Sequence, residues 1–287
     1  MHSRSNWVLP ILAAALIISV AFAALVISDR SELDNDKDLA ETRLEMSVGL
    51  SEAQMSVQGE IEKIDGLIKN ASLRLAAIGL DGADARAVLN DTVSSDPYIL
   101  DIVTYGPGGV VIAAEPSGFS SLEGQDLTFE DNVRTLLATR MPVMSDVFYV
   151  TPDLPGAVIA YPIIDVNGMF IGGVSALFSA IDLMNGTLAS FSEESGFTFW
   201  CMQLDGMDIF DSDASQIGMN VTGPDYDGFP EVQELGARML GEASGHGTYS
   251  YYADLSLQKV VDKECYWTTV GTMGTEWRLV IVNVLSE

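Results

Sequence analysis

Cations are the scarce chemistry in this chain. Its 287 residues include 14 Lys and Arg against 41 Asp and Glu, a net charge of -27. Arg134 is therefore conspicuous. A guanidinium matches a carboxylate through two parallel hydrogen bonds, so Arg134 in a binding role would clamp a small carboxylate. As an exposed helix residue it would instead pair with Glu130, four positions earlier. Both readings fit the sequence. Other side chains able to meet a ligand are Tyr105, Phe129, Tyr149, Asp153, Tyr161 and Asp165. Tyr149 and Tyr161 also suit half-buried sheet positions. Asp153 and Asp165 stand in Asp-Leu-Pro-Gly and Asp-Val-Asn-Gly turns, where Asp is favoured for backbone reasons alone.

Residues for catalysis are few. The chain has two histidines, His2 and His246, so no His pair is available for a metal site. A Ser/His/Asp triad would depend on His246, which lies between two glycines and reads as a turn residue. No Walker loop, no G-x-G-x-x-G after a strand and no Cys-x-x-Cys occurs. With 41 acids, chance carboxylate pairs are unavoidable, so a carboxylate-based hydrolase trails every binding reading. No enzyme activity, cofactor or metal is expected. The strong negative charge also excludes nucleic acid as a partner.

The elements that must position these residues begin with a membrane segment. Trp7–Ile27 carries no charge, and at 1.5 Å per residue it spans roughly the 30 Å of a bilayer core. Arg4 precedes it, which predicts an N-terminus inside and the bulk of the chain outside. A cleaved signal peptide ending near Ala21-Phe-Ala23 is the competing reading, less favoured because the apolar run is long. Asp29–Ile78 lacks proline and is rich in helix formers. Ile61, Ile64, Ile68, Ala71, Leu75 and Ile78 form a heptad-like stripe, looser at Leu44, Val48 and Met55. The stripe is expected to pack on the following sheet, with a parallel dimer seam as the alternative.

Apolar, β-branched runs then predict strands at Tyr98–Tyr105, Val110–Ala114, Val143–Val150, Ala157–Ile164 and Met169–Phe178. A short helix precedes them at Asp84–Val93, and another lies inside Asp126–Thr139. After a connecting helix at Ala180–Ser192, the pattern repeats. Strands are expected at Phe197–Gln203, Met207–Ser212, Gly245–Tyr252, Lys263–Val270 and Glu276–Val284, with a helix near Pro230–Leu240.

The series Gly124-x-Asp126, Met141-Pro142-x-x-Ser145, Ala160-Tyr-Pro162-Ile163 and Gly168-x-x-x-Gly172-Gly173-Val174 resembles the pocket-bearing half of a Cache domain. In the second half, Gln216-Ile-Gly-Met-Asn220, Gly245-His-Gly-Thr-Tyr249 and Glu276-Trp-Arg-Leu-Val resemble the membrane-proximal Cache half. Together they resemble a double Cache sensor, an extracytoplasmic PAS-like domain of chemoreceptors and sensor kinases. That resemblance implies an α+β fold: an N-terminal transmembrane helix (1–28), a long stalk helix (29–79) and two tandem PAS-like antiparallel-sheet subdomains. These occupy 80–179 and 196–287, joined by a helix at 180–195.

It further implies a ligand pocket between the first sheet and its arch, lined by Tyr105, Phe129, Arg134, Tyr149, Asp153, Tyr161 and Asp165. Amino-acid-binding members carry an Arg-x-Trp-Tyr cluster, whereas this chain has Phe129-Glu-Asp-Asn-Val-Arg134. An α-amino acid ligand is therefore not supported. The implied 2-1-5-4-3 strand order separates Cys201 from Cys265 by a strand. Two strand spacings are roughly 9.5 Å, beyond the ~7 Å that a disulfide tolerates, so two buried thiols are expected. Four Asn-x-Ser/Thr sequons, at Asn70, Asn90, Asn185 and Asn220, are glycan acceptors if exported.

The function expected is a membrane-anchored extracytoplasmic small-molecule sensor without its own cytoplasmic output, acting through a signalling partner protein. Its alternative is a structural or adhesive surface module. The partners expected are a small ligand (a carboxylate if Arg134 clamps it), the membrane, and a second copy along the stalk helix.

Overall fold

The computed structural model describes the backbone of residues 8–151, 154–253, 255 and 259–286, and side chains from residue 36 except at 150, 151, 154 and 286. Residues 1–48 and 49–287 form two compact units. The expected membrane segment lies outside the described side chains. Among the described residues, no helix is long and apolar enough to cross a membrane.

Helix α1 runs Val8–Ile78. From Leu50 onward it buries one stripe: Leu50, Ala53, Val57, Ile61, Ile64, Ile68, Ala71 and Leu75. Steps of three and four residues keep these side chains on one face. Each buried Leu or Ile contributes about 1.5–3 kcal/mol. Leu44, Val48, Met55 and Ile78 are exposed instead.

The first sheet contains β1 (Ile99–Tyr105), β2 (Val111–Glu115), β3 (Val143–Met144), β4 (Phe148–Thr151), β5 (Leu154–Ile164) and β6 (Phe170–Ser179). Its order is β2-β1-β6-β5-β3, with β4 also pairing β5. The expected strand Val143–Val150 is thus two short strands. Ser145 breaks it: its hydroxyl accepts the Val158 N–H at 2.9 Å, and the Val147 N–H turns away to Gln203 Oε1 at 2.8 Å. Helix α2 (Ala83–Ser94) precedes the sheet, and α3 (Asp131–Thr139) lies in the arch between β2 and β3. Helix α3 starts later than the apolar pattern, because the Asp126 carboxylate caps a turn by accepting from Thr128 N and Oγ1.

Helix α4 (Ala180–Ser195) leads to the second sheet: β7 (Thr198–Gln203), β8 (Asp208–Asp211), β9 (Gly245–Tyr252), β10 (Val260–Thr272) and β11 (Thr275–Ser286). Its order is β8-β7-β11-β10-β9, the expected 2-1-5-4-3 plan, with α5 (Pro230–Gly241) in its arch. Strand β11 separates Cys201 from Cys265, and both thiols are free and buried. His246 is not a turn residue. It lies on edge strand β9 and stacks on Tyr266 at 5.7 Å.

Helix α1 covers the same face of both sheets. Gln54 Nε2 donates to Thr269 O at 2.9 Å, and the Gln58 amide exchanges hydrogen bonds with Gly271 N and O at 3.0 and 3.1 Å. Further along, Tyr161 donates to Asp65 at 2.7 Å and Ser72 to Pro162 O at 2.7 Å. The second sheet therefore meets the earlier turns of α1 and the first sheet the later ones.

Ile64→Ala should destabilise the protein by about 2–5 kcal/mol, through lost burial plus an unfilled cavity. Met55→Ala, at a position 65% exposed, should change stability by less than about 0.5 kcal/mol. Denaturant unfolding of both variants checks the pair. A Met55→Ala loss as large as that of Ile64→Ala would mean that this face is buried in a dimer.

Candidate functional site

With α1 on one face, each sheet has its other face free for an arch. In the first sheet, Val103, Val158 and Leu177 on that face pack against Val133 and Leu136 of α3. Between them remains a cleft of about 120 Å³, whose lining includes Asp101, Ser175, Glu130, Asn132 and Phe148. It adjoins a larger groove of about 350 Å³ that shares Glu130, Asn132 and Phe148 and adds Phe129, Asp131, Ser145, Asp146 and Thr275. Asn132 and Ser175 are buried, so the inner end presents an amide and a hydroxyl beside the Asp101 carboxyl.

Asp101 is the unusual group. It stands on β1 opposite Leu177 of β6 and is 7% exposed. Its carboxyl makes no hydrogen bond or ion pair among the described residues, and burial alone pushes its pKa up to about 7. Glu130 is also raised by burial, opposed by nearby Arg134. Burial again raises Asp146, with Asp205 adding repulsion. Cleft and groove thus gather carboxyls, of which Asp101 and Asp146 have no compensating cation among the described residues.

Of the residues expected here, Phe129 lines the outer groove and is 68% exposed. Tyr105 faces the arch but is completely buried, its ring laid over Gly173 in space that a Cβ would occupy, and its hydroxyl has no hydrogen-bond partner among the described residues. Gly172 beside it has φ 148°, and an added Cβ would sit 2.0 Å from Tyr105 O. This pair of glycines is what lets β6 approach β1 so closely.

Arg134 does not reach into the cleft. Its guanidinium pairs with Asp131 on its own helix and donates to Phe129 O at 2.7 Å. The expected partner was Glu130, but the Asp131 side chain is nearer. Tyr161 points the other way, onto α1, because alternate β5 residues face opposite sides and Ala160 takes the arch side. Asp165 is half-buried in a turn. There the N–H groups of Met169 and Asn167 donate to it and hold its carboxyl below the usual range. Tyr149 is 44% exposed, with its hydroxyl against Gly218 of the second half. Asp153 lies outside the described residues. The seven residues therefore do not converge. Asp101, Asn132 and Ser175 were missed, although an acid inside Ile99–Tyr105 is a visible signal: every other residue of that strand is apolar or Thr.

The corresponding cleft of the second sheet is larger, about 240 Å³, and is lined by acids and tyrosines. Among the described residues, no group of His, Cys, Asp and Glu is arranged to hold a metal ion.

Residues 59–180 match the family model described as the HK/GC/Chemotaxis protein-like sensor domain. No curated protein matches. Among solved structures, an extracellular ligand-binding receptor from Desulfohalobium retbaense shares 24% identity at TM-score 0.70. The match covers 83% of this chain and 40% of that one, so this chain spans well under half of that receptor. The ligand-binding domain of the Pseudomonas aeruginosa amino-acid chemoreceptor PctC, in complex with GABA, shares 14% identity at TM-score 0.62, covering 84% of this chain and 99% of that one. The ligand-binding domain of the Pseudomonas fluorescens chemoreceptor CtaA, in complex with L-alanine, shares 15% at TM-score 0.57, covering 87% and 97%. With two 2-1-5-4-3 sheets on one helix, the chain has the fold of a double Cache, PAS-like sensor domain of the chemoreceptor type.

Proposed function

We propose that this chain is a membrane-anchored, extracytoplasmic small-molecule sensor that performs no catalysis and acts through a partner protein. The observation that carries the reading is Asp101. A carboxyl buried without a hydrogen bond or counter-ion opposes folding, and a donor group on a ligand entering the cleft would relieve that penalty. The lining also bears on ligand class. Glu130 and Asp146 would repel a carboxylate, while an ammonium or hydroxyl would find acceptors there and at Asp101. This replaces the small carboxylate expected from Arg134, whose guanidinium is engaged by Asp131 and Phe129 O. GABA and L-alanine, the ligands named with PctC and CtaA, both carry an ammonium.

The uncharged run Trp7–Ile27 behind Arg4 supports a single-pass anchor with the N-terminus inside. The order of contacts along α1 supports the second sheet as the membrane-proximal subdomain. Exposed Leu44, Val48 and Met55 support a homodimer seam on α1, from which a signalling partner would be reached.

Two measurements test this. In a thermal-shift screen of the full chain in detergent and high salt, amines, amino acids, carboxylates and purines are compared. An ammonium-bearing hit at 100 times its Kd should add about 2.7 kcal/mol, disappear in Asp101→Asn and survive in Arg134→Ala. Hits confined to carboxylates and lost in Arg134→Ala would sink the assignment of the site.

The second measurement is stability against pH. The folded state retains the Asp101 proton up to about pH 7, whereas the unfolded chain releases it near 3.8. This group's contribution therefore falls as pH rises from about 4 to 7, by about 1.4 kcal/mol per unit of pKa difference at most. Asp101→Asn should match the parent near pH 4 and unfold several degrees higher at pH 8. An unchanged melting temperature at pH 8 would show that the carboxyl is solvated.

A further inference from the structure

The Asn-x-Ser/Thr sequons have no part in the function just described. Ser and Thr make up 41 of the 287 residues, so nine asparagines should give about one such triplet by chance. Four of the nine stand in one, and the fold sorts these four into two kinds. Asn220 lies in the irregular segment between β8 and β9, the usual setting for a glycan acceptor, yet its amide is engaged. Nδ2 donates to Asp205 O at 2.9 Å, and Oδ1 accepts from Thr222 N and Oγ1 at 3.0 and 2.9 Å. Glycines at 206 and 223 give this side chain its room, since a Cβ at either would crowd it. A sugar on Nδ2 has no space in that turn.

Asn70, Asn90 and Asn185 are exposed instead, on α1, α2 and α4. Residues i and i+2 of a helix point about 200° apart, so an exposed Asn sends its partner hydroxyl inward. Ser72, Thr92 and Thr187 are accordingly buried. Their hydroxyls donate to Pro162 O at 2.7 Å, Val88 O at 2.8 Å and Leu183 O at 2.8 Å. In the folded protein a transferase cannot read amide and hydroxyl together. The three sites also share one flank. Arg74, one turn after Asn70, pairs with Asp91 beside Asn90 at 3.1 Å, and the Tyr98 hydroxyl near α2 lies against Gly186 beside Asn185. None of the three lines a cavity described above.

We propose that Asn70, Asn90 and Asn185 carry N-linked glycans, attached before their helices pack, and that Asn220 stays bare in the folded protein. This rests on the extracytoplasmic reading above. In the transfer, Asn Nδ2 attacks C1 of an oligosaccharide carried on a lipid phosphate. The new N–C1 bond replaces the C1–O bond, the lipid phosphate leaves with the bonding electrons, and a base of the transferase takes one Nδ2 proton. The glycans are bulky and hydrated, and they would cover the α1–α2–α4 flank while leaving both clefts open. Leu73, 66% exposed and three residues after Asn70, falls under that cover. Pairing along α1 is then restricted to its earlier turns, at Leu44, Val48 and Met55.

The test is glycopeptide mass spectrometry on the full chain isolated from the membranes of its own cells. A common sugar mass is expected at Asn70, Asn90 and Asn185, each lost singly in Asn70→Gln, Asn90→Gln or Asn185→Gln, with Asn220 unmodified. A membrane-impermeant lysine reagent applied to the intact cells reports export independently of any sugar. A labelled chain bare at the three helical sites would overturn the proposal and leave the sensor reading intact. An unlabelled chain would overturn export, and both readings with it. Sugar on Asn220 of the folded protein would refute the sorting of the sites. For the order of events, chain made without glycans is offered to the same membranes, either folded or freshly diluted from urea. Transfer is expected only to the unfolded sample, and equal transfer to the folded one would overturn attachment before packing.

Discussion

One helix face closes both sheets. The stripe from Leu50 to Leu75 is fully committed to burial, and four side chains along it bond directly to β10 or β5. A sheet covered by a continuous helix on one side can keep space for a ligand only on the other. There the cover is a short helix and irregular loops, which cannot match the packing density of a helix stripe. Both cavities lie on that side. Their position is thus a consequence of α1, and the identity of the residues there is left free by the fold.

What fills that freedom is acid. In a chain of net charge -27, most carboxylates are solvated and need no explanation. Asp101, Asp208 and Asp211 differ because burial denies them water, and the surrounding protein gives them less than it takes away. Compare Asp96, equally buried but paired with Lys63 Nζ at 2.9 Å. Fold stability alone would favour the Asp96 arrangement everywhere. A carboxyl left short of partners at a cavity wall is the arrangement that a binding site requires and a packed core does not.

The architecture was legible in the sequence because it rests on periodicity. Alternation gave the strands of both halves, and repetition of the same order twice gave the paired sheets. Boundaries failed where a side chain took over a backbone partner, as Ser145 does between β3 and β4 and Asp126 does before α3. The cleft residues were less legible, for a different reason. Arg134, Tyr161 and Asp165 were attractive by residue type, yet their orientation depends on register and on competing local partners. Tyr161 is one residue out of phase with the arch-facing Val158 and Ala160 positions of β5, and a one-residue step in a strand turns a side chain to the opposite face. Asp101, by contrast, was marked by its surroundings: a charged residue in a strand that is otherwise buried.

The two halves meet through polar contacts that reach the first cleft. Gln203, at the end of β7, is buried and accepts from Val147 N while donating to Val147 O. Thr275, at the start of β11, lines the outer groove and donates to Met144 O at 2.7 Å. Four residues earlier on the same hairpin, Gly271 exchanges two hydrogen bonds with Gln58 of α1. The contact path from groove to helix is therefore short, and it passes through the second sheet without using the core of the first. A ligand changes a conformational equilibrium only through groups it touches differently in the two states. By that criterion, a molecule confined to the inner cleft at Asp101 acts on β1 and β6, whereas one extending into the groove also bears on the hairpin that grips α1. Ligand length, as well as charge, then decides which part of the molecule responds.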